Sequence, residues 1–123
     1  MPERPVIQLK KHEQKRILQG HLWVFSNEVA SVEGAPETGA VVSVVDASKN
    51  LLGVGLYNKT SLIAVRMLSR SDETADANLF ERRILQADAY RQQLFPGATA
   101  YRMVHGESDF LPGLLIDRFN DHY

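Results

Sequence analysis

Lys10, Lys11, Lys15, Arg16 and His21 place five basic side chains in one short segment. Cations grouped in this way suit a polyanion whose charges repeat along its length, so a nucleic-acid backbone is the first chemistry to consider. Lys59 and Arg66 extend such a surface in principle. Asn58 and Ser61, beside Lys59, read as turn formers, because both residue types fold back on their own backbone. Trp23 offers a ring on which a base could stack, but a lone Trp in a small β domain reads first as a core anchor. A second constellation, His105, Glu107 and Asp109 in the run HGESD, invites acid-base or metal chemistry. It has too few ligands, at unhelpful spacing, for a metal, and no evident pocket for a proton relay. It reads instead as a long turn in which Glu107, Ser108 and Asp109 accept backbone N–H groups and Pro112-Gly113 ends the excursion.

Composition narrows the chemistry further. The 123 residues contain no cysteine, which removes disulfides, thiolate nucleophiles and cysteine metal ligands from this chain. No apolar run approaches the roughly 18 residues that span a bilayer, and the first residues lack a secretory core, so a cytoplasmic setting is expected. The net charge of −1 hides an asymmetry. Residues 1–70 carry nine Lys and Arg against six Asp and Glu, whereas residues 71–123 carry five against nine. A basic front and an acidic back suggest two units with different partners.

The cations need elements to hold them. Val6, Ile7 and Leu9 suggest a short strand, and His12 to Gln19 a brief helix ended by Gly20. On that helix Lys11 and Lys15 share one side, His12 and Arg16 form the next row, and Ile17 faces inward. HLWVF alternates Trp23 and Phe25 with Leu22 and Val24, the pattern of a segment buried on both faces. The loop GAPETG precedes three β-rich runs, AVVSVVD, LLGVGLYN and LIAVRML, joined by connections of hairpin length. Short strands at this spacing predict a small closed or nearly closed barrel. Gly53 and Gly55 mark a sharp bend or a close backbone approach within it.

The polar stretch SRSDETADAN is the linker candidate. A helix is expected over about 78–95, with Asn78 and Glu81 as a capping box and Phe80, Ile84, Ala87 and Leu94 as its apolar stripe. Strands follow at about 101–105 and 114–119. Two strands and one helix make a marginal sheet, so this second unit looks unfinished.

Three stretches, LKKHEQKRILQGHLWVFSNEV, the NLLGVGLYN and SLIAVR runs, and above all YRMVHGESDFLPGLLIDRF, resemble the large-subunit ribosomal RNA cytosine-5 methyltransferases. The resemblance spans nearly the whole chain. It departs from the family at His12, Leu22 and Phe110, where Gly, Pro and Gly are more usual. It implies an α+β architecture: a mostly-β PUA-type pseudo-barrel with a short basic helix at 1–71, then a truncated central α/β domain at 72–123. It also implies a fragment of a longer S-adenosylmethionine-dependent enzyme whose methyltransferase domain is absent, leaving this portion non-catalytic and without its own cofactor or metal. PUA-type domains use the region of their first helix for RNA. The implied partners are therefore ribosomal RNA and the parent's own C-terminal methyltransferase domain, with RNA contacts at Lys10, Lys11, Lys15, Arg16, His21, Lys59 and Arg66.

Chemistry agrees with that division. Methylating carbon 5 of cytosine takes a thiolate that attacks carbon 6, and methyl-donor binding takes an open α/β sheet with a Gly-rich turn. Neither fits in the residues left after the barrel. Two other readings compete with RNA binding: a protein-interaction or interdomain docking module, and a small hydrolase built on HGESD.

Overall fold

The computed structural model describes residues 3–123, and the chain divides into two units, residues 1–73 and 74–123. The first is built on strand alternation. In β4 (Val41–Val45) Val42 and Val44 are buried, while Val41, Ser43 and Val45 are half-buried, the period of two expected of a sheet with one face on a core. β1 (Val6–Leu9) buries Ile7 and Leu9 by the same rule. β2 (Trp23–Phe25), β3 (Val29–Glu33), β5 (Leu51–Tyr57) and β6 (Ile63–Ser69) complete the sheet.

Their order is β2-β6-β5-β4-β1-β3. β1 runs parallel to β4 and antiparallel to β3, and the remaining pairs are antiparallel. β2 and β3 lie at the two edges, so the sheet is an open, mostly-β half-barrel within an α+β chain. Ile7, Leu9, Val24, Val42, Val44, Leu52, Val65 and Met67 fill its core, joined by Ile17 from the helix α1 (Gln14–Leu18). Each such side chain contributes about 1.5–3 kcal/mol when fully buried.

Several expectations change here. α1 is shorter than the expected 12–19, because His12 takes a left-handed φ of 73° that cannot belong to a right-handed helix. HLWVF is not buried on both faces. Val24 is buried, but Trp23 remains 37% exposed, so it is no core anchor. β2 lies at an edge of the sheet, with β6 as its one strand neighbour. β3 went unread because VASVE has little apolar contrast, and it follows directly on a 3-10 turn at 26–28. The close-approach reading of Gly53 and Gly55 matches the geometry. A Cβ at Gly53 would overlap the Ser69 carbonyl oxygen, and one at Gly55 would lie 2.7 Å from the Arg66 carbonyl oxygen.

The second unit pairs β7 (Ala100–His105) with β8 (Leu115–Phe119) in an antiparallel hairpin, and α2 (Ala77–Leu94) covers one face. Ala87, Met103, Val104 and Leu111 form its core, with Phe80, Ile84, Tyr101, Leu114 and Ile116 packed around them. Leu94, expected in the apolar stripe, is 51% exposed because it sits at the last position of the helix. The helix cap also moves. Asp76, not Asn78, is the N-cap, and its carboxylate accepts from the Leu79 N–H at 3.0 Å. Among the described residues no helix is long and apolar enough to cross a membrane.

Candidate nucleic-acid interface

α1 ends in a Schellman arrangement that turns the chain sharply into β2. The Gly20 N–H donates to the Ile17 carbonyl at 3.1 Å and the His21 N–H to the Arg16 carbonyl at 3.0 Å, with Gly20 at φ 109°. The Arg70 guanidinium also donates to the Ile17 carbonyl, which satisfies a helix-end acceptor. This sharp exit places β2 beside α1. The Phe25 N–H donates to the buried Glu28 carboxylate at 2.8 Å, and the Lys10 N–H donates to the Glu28 carbonyl at 2.9 Å. The end of β2 and the approach to α1 are thus pinned to one residue.

Four side chains then line up. The Arg16 guanidinium lies 5.1 Å from the Phe25 ring centroid. Phe25 meets Trp23 edge-to-face, with centroids 6.4 Å apart and planes at 84°. The Arg66 guanidinium lies 5.4 Å from the Trp23 centroid, from the directly opposed position on β6. Alternation puts Trp23 and Phe25 on the same side of their strand, so the row is a consequence of spacing plus register. Each cation-ring contact is worth about 0.5–1 kcal/mol at a partly exposed site. Chemically the row offers planar faces to bases and fixed positive charge to phosphates.

Of the residues singled out from the sequence, Arg16 and Arg66 enter this row. Lys10 and Lys11 are exposed on the link between β1 and α1, Lys15 is exposed in the last turn of α1, and His21 is exposed just before β2. Lys59 is exposed on the β5–β6 turn, where its N–H donates to the Thr38 hydroxyl at 3.1 Å. Asn58 and Ser61 form that turn: the Asn58 carbonyl oxygen accepts from the Thr60 and Ser61 N–H groups, and the Ser61 hydroxyl from the Ile63 N–H. Phe25 was missed as a site residue. Its signal was present in the two-residue spacing from Trp23, but an alternating pair is equally the mark of a core strand.

HGESD is a structural turn. Residues 106–109 form a 3-10 turn after β7, and the Asp109 carboxylate accepts both arms of the Arg91 guanidinium, one at 2.8 Å, together with the His105 N–H at 2.7 Å. Burial pushes the Asp109 carboxyl up, and the hydrogen bonds from Arg91 and His105 outweigh it, so its pKa lies below the usual carboxylate range. Hydrogen bonding to Asp109 in turn raises Arg91. The Glu107 carboxylate accepts from the Gly113 N–H at 3.1 Å, closing the far end of the turn. His12 and Phe110, two positions where the resembled family more often has glycine, both take left-handed backbone, with φ of 73° and 60°.

The PUA-like domain family matches residues 7–70. Ribosomal RNA large subunit methyltransferase I from Tolumonas auensis is 40% identical over 94% of this chain and 30% of its own length. The proteins of that name from Shewanella denitrificans and Vibrio cholerae are 41% and 37% identical, again over 30% of their lengths. The chain therefore spans about 30% of the curated relatives it matches. Two solved structures share the fold: SMU.776, a candidate methyltransferase complexed with SAH, at a TM-score of 0.77 and 17% identity, and a candidate SAM-dependent methyltransferase from Streptococcus mutans at 0.74 and 18%. The chain covers 30% and 31% of those two, with 94% of itself aligned in each. With a match running from Ile7 to Arg70, over half of its residues, this chain belongs to the PUA-like domain family.

Proposed function

We propose that this chain is the RNA-holding portion of an S-adenosylmethionine-dependent methyltransferase acting on large-subunit ribosomal RNA. The observation that carries the reading is the row Arg16, Phe25, Trp23, Arg66, which combines stacking faces and fixed cations on one edge of a PUA-like sheet. Lys10, Lys11, Lys15 and His21 supply further backbone contacts around α1, and Lys59 extends the surface at the β5–β6 turn. The PUA-like unit (about 1–71) grips the RNA. The helix-plus-hairpin unit (about 72–123) links it to a separate domain that binds the methyl donor, a division supported by the chain spanning about 30% of its relatives. The setting is the cytoplasm, where ribosomal RNA is modified. The methyl acceptor is carbon 5 of a cytosine, a reading supported by the resemblance of the YRMVHGESDFLPGLLIDRF stretch.

The test of RNA binding is a filter-binding titration of the chain with large-subunit ribosomal RNA segments across salt concentrations. Four or five phosphate contacts on single strands predict a slope of log affinity against log salt of about −3. A flat or absent response overturns the reading and favours a protein-docking module. The acceptor atom is tested in the longer enzyme with RNA tritiated at carbon 5 of cytosine. Methylation there replaces the carbon-bound hydrogen and releases tritium to water; methyl transfer with full retention places the acceptor elsewhere.

A further inference from the structure

We infer that the cleft between α2 and the 106–110 turn is a second binding site, taking one unpaired nucleobase of RNA. The inference rests on the RNA reading above but uses a different unit and different residues. The cleft has a volume of about 300 Å³ and is lined by Arg83, Gln86, Tyr90, Ser108 and Phe110 among others.

Phe110 is the central observation. Its backbone is left-handed, at φ 60° and ψ 31°, a conformation that L-residues adopt at a cost and glycine adopts freely. A large apolar side chain at such a position is normally compensated by burial. Here the ring is 57% exposed, so packing does not account for it. The turn nonetheless presents the ring rigidly. Leu111, the next residue, is 1% exposed in the core, and its N–H donates to the Gly106 carbonyl at 3.1 Å. Arg83 donates to the Phe110 carbonyl at 2.7 Å, and Asp109 is locked by Arg91 and the His105 N–H.

The surroundings suit a base with its phosphate. The Arg83 guanidinium lies 6.0 Å from the Phe110 centroid, and Arg91 lies 5.7 Å from the centroid of Tyr90, itself 54% exposed. Arg83 and Tyr90 are two helical turns apart on α2 and so share a face. Gln86 and Ser108 supply a donor-acceptor amide and a hydroxyl for a base edge. The one carboxylate in the lining, Asp109, is already held by Arg91. A guanidinium beside an exposed ring is also the chemistry of Arg66 and Trp23 in the first unit.

The test compares the wild-type chain with Phe110→Gly and Phe110→Tyr, using single-stranded oligonucleotides of large-subunit ribosomal RNA sequence. Phe110→Gly is expected to melt no lower than wild type, since glycine fits the left-handed backbone, yet to bind roughly five- to tenfold more weakly or worse. Phe110→Tyr is expected to retain binding. Affinity of Phe110→Gly within about twofold of wild type overturns the inference and leaves the first RNA site standing. No uptake by the wild-type chain overturns the RNA reading itself. Should Phe110→Gly fail to fold, photocrosslinking of the wild-type chain with 4-thiouridine RNA decides: adducts within 83–90 or 106–110 support the site, and adducts confined to residues before 74 overturn it.

Discussion

Arg66 faces Trp23 from the directly opposed position on the neighbouring strand, its guanidinium 5.4 Å from the ring centroid. Register alone therefore decides that the chain's single tryptophan, on an open edge strand, carries a positive charge against its ring.

Trp23→Ala should weaken RNA binding by roughly 5- to 100-fold, the loss of one base stack. Arg66→Lys should cost less, about two- to fivefold, because the charge persists while the planar group is lost. Since Trp23 is the only tryptophan, its emission reports directly: RNA should quench it in the wild-type protein. Binding without any change in emission would show that the indole is not contacted.

Gly55→Ala should disturb both fold and site. The added methyl would lie 2.7 Å from the Arg66 carbonyl, so β6 must shift. Overpacking of this kind costs about 1–3 kcal/mol. Thermal melts should show the loss of stability, and RNA affinity measured well below the melting temperature should also fall as Arg66 leaves its place over Trp23. Unchanged affinity in the folded variant would uncouple that backbone position from the row.

Asp109→Asn should destabilise the chain by about 3 kcal/mol at neutral pH, because Arg91 would keep a largely buried charge without its partner. The folded pKa of Asp109 lies below its ordinary value, so its contribution is complete above about pH 4 and disappears as pH falls through the folded value. Urea melts from pH 7 down to pH 3 should therefore show the gap between wild type and variant narrowing toward the acid end. Curves that stay parallel would remove the ion pair from the account.

Asp76→Ala should cost about 1 kcal/mol, the usual loss of an N-cap, whereas Asn78→Ala should be close to neutral. Circular dichroism melts of the two variants separate these positions cleanly. A larger effect at Asn78 would move the helix start back to where the sequence pattern placed it.

Local chemistry and periodicity were enough for much of the architecture. The alternation of Val42 and Val44 marks β4 whatever its neighbours do, Gly20 must end α1, and Asn58 must turn the chain, because each depends on interactions within a few residues. Caps were less legible. Asp76 and Asn78 offer similar capping side chains two positions apart, and the structure gives the cap to Asp76, whose carboxylate accepts from the Leu79 N–H.

The row of rings and guanidinium groups was not legible, although each member was. Arg16, Trp23, Phe25 and Arg66 are distributed over a helix and two strands, and nothing in a linear pattern says that β2 pairs with β6 at the sheet edge. That choice assigns Trp23 to the surface rather than the core. The sequence by itself determined where strands, turns and cations occur, through period-two burial and backbone preferences. Only the tertiary structure decided which face each strand shows to water, because strand order and register depend on contacts between residues far apart in the chain.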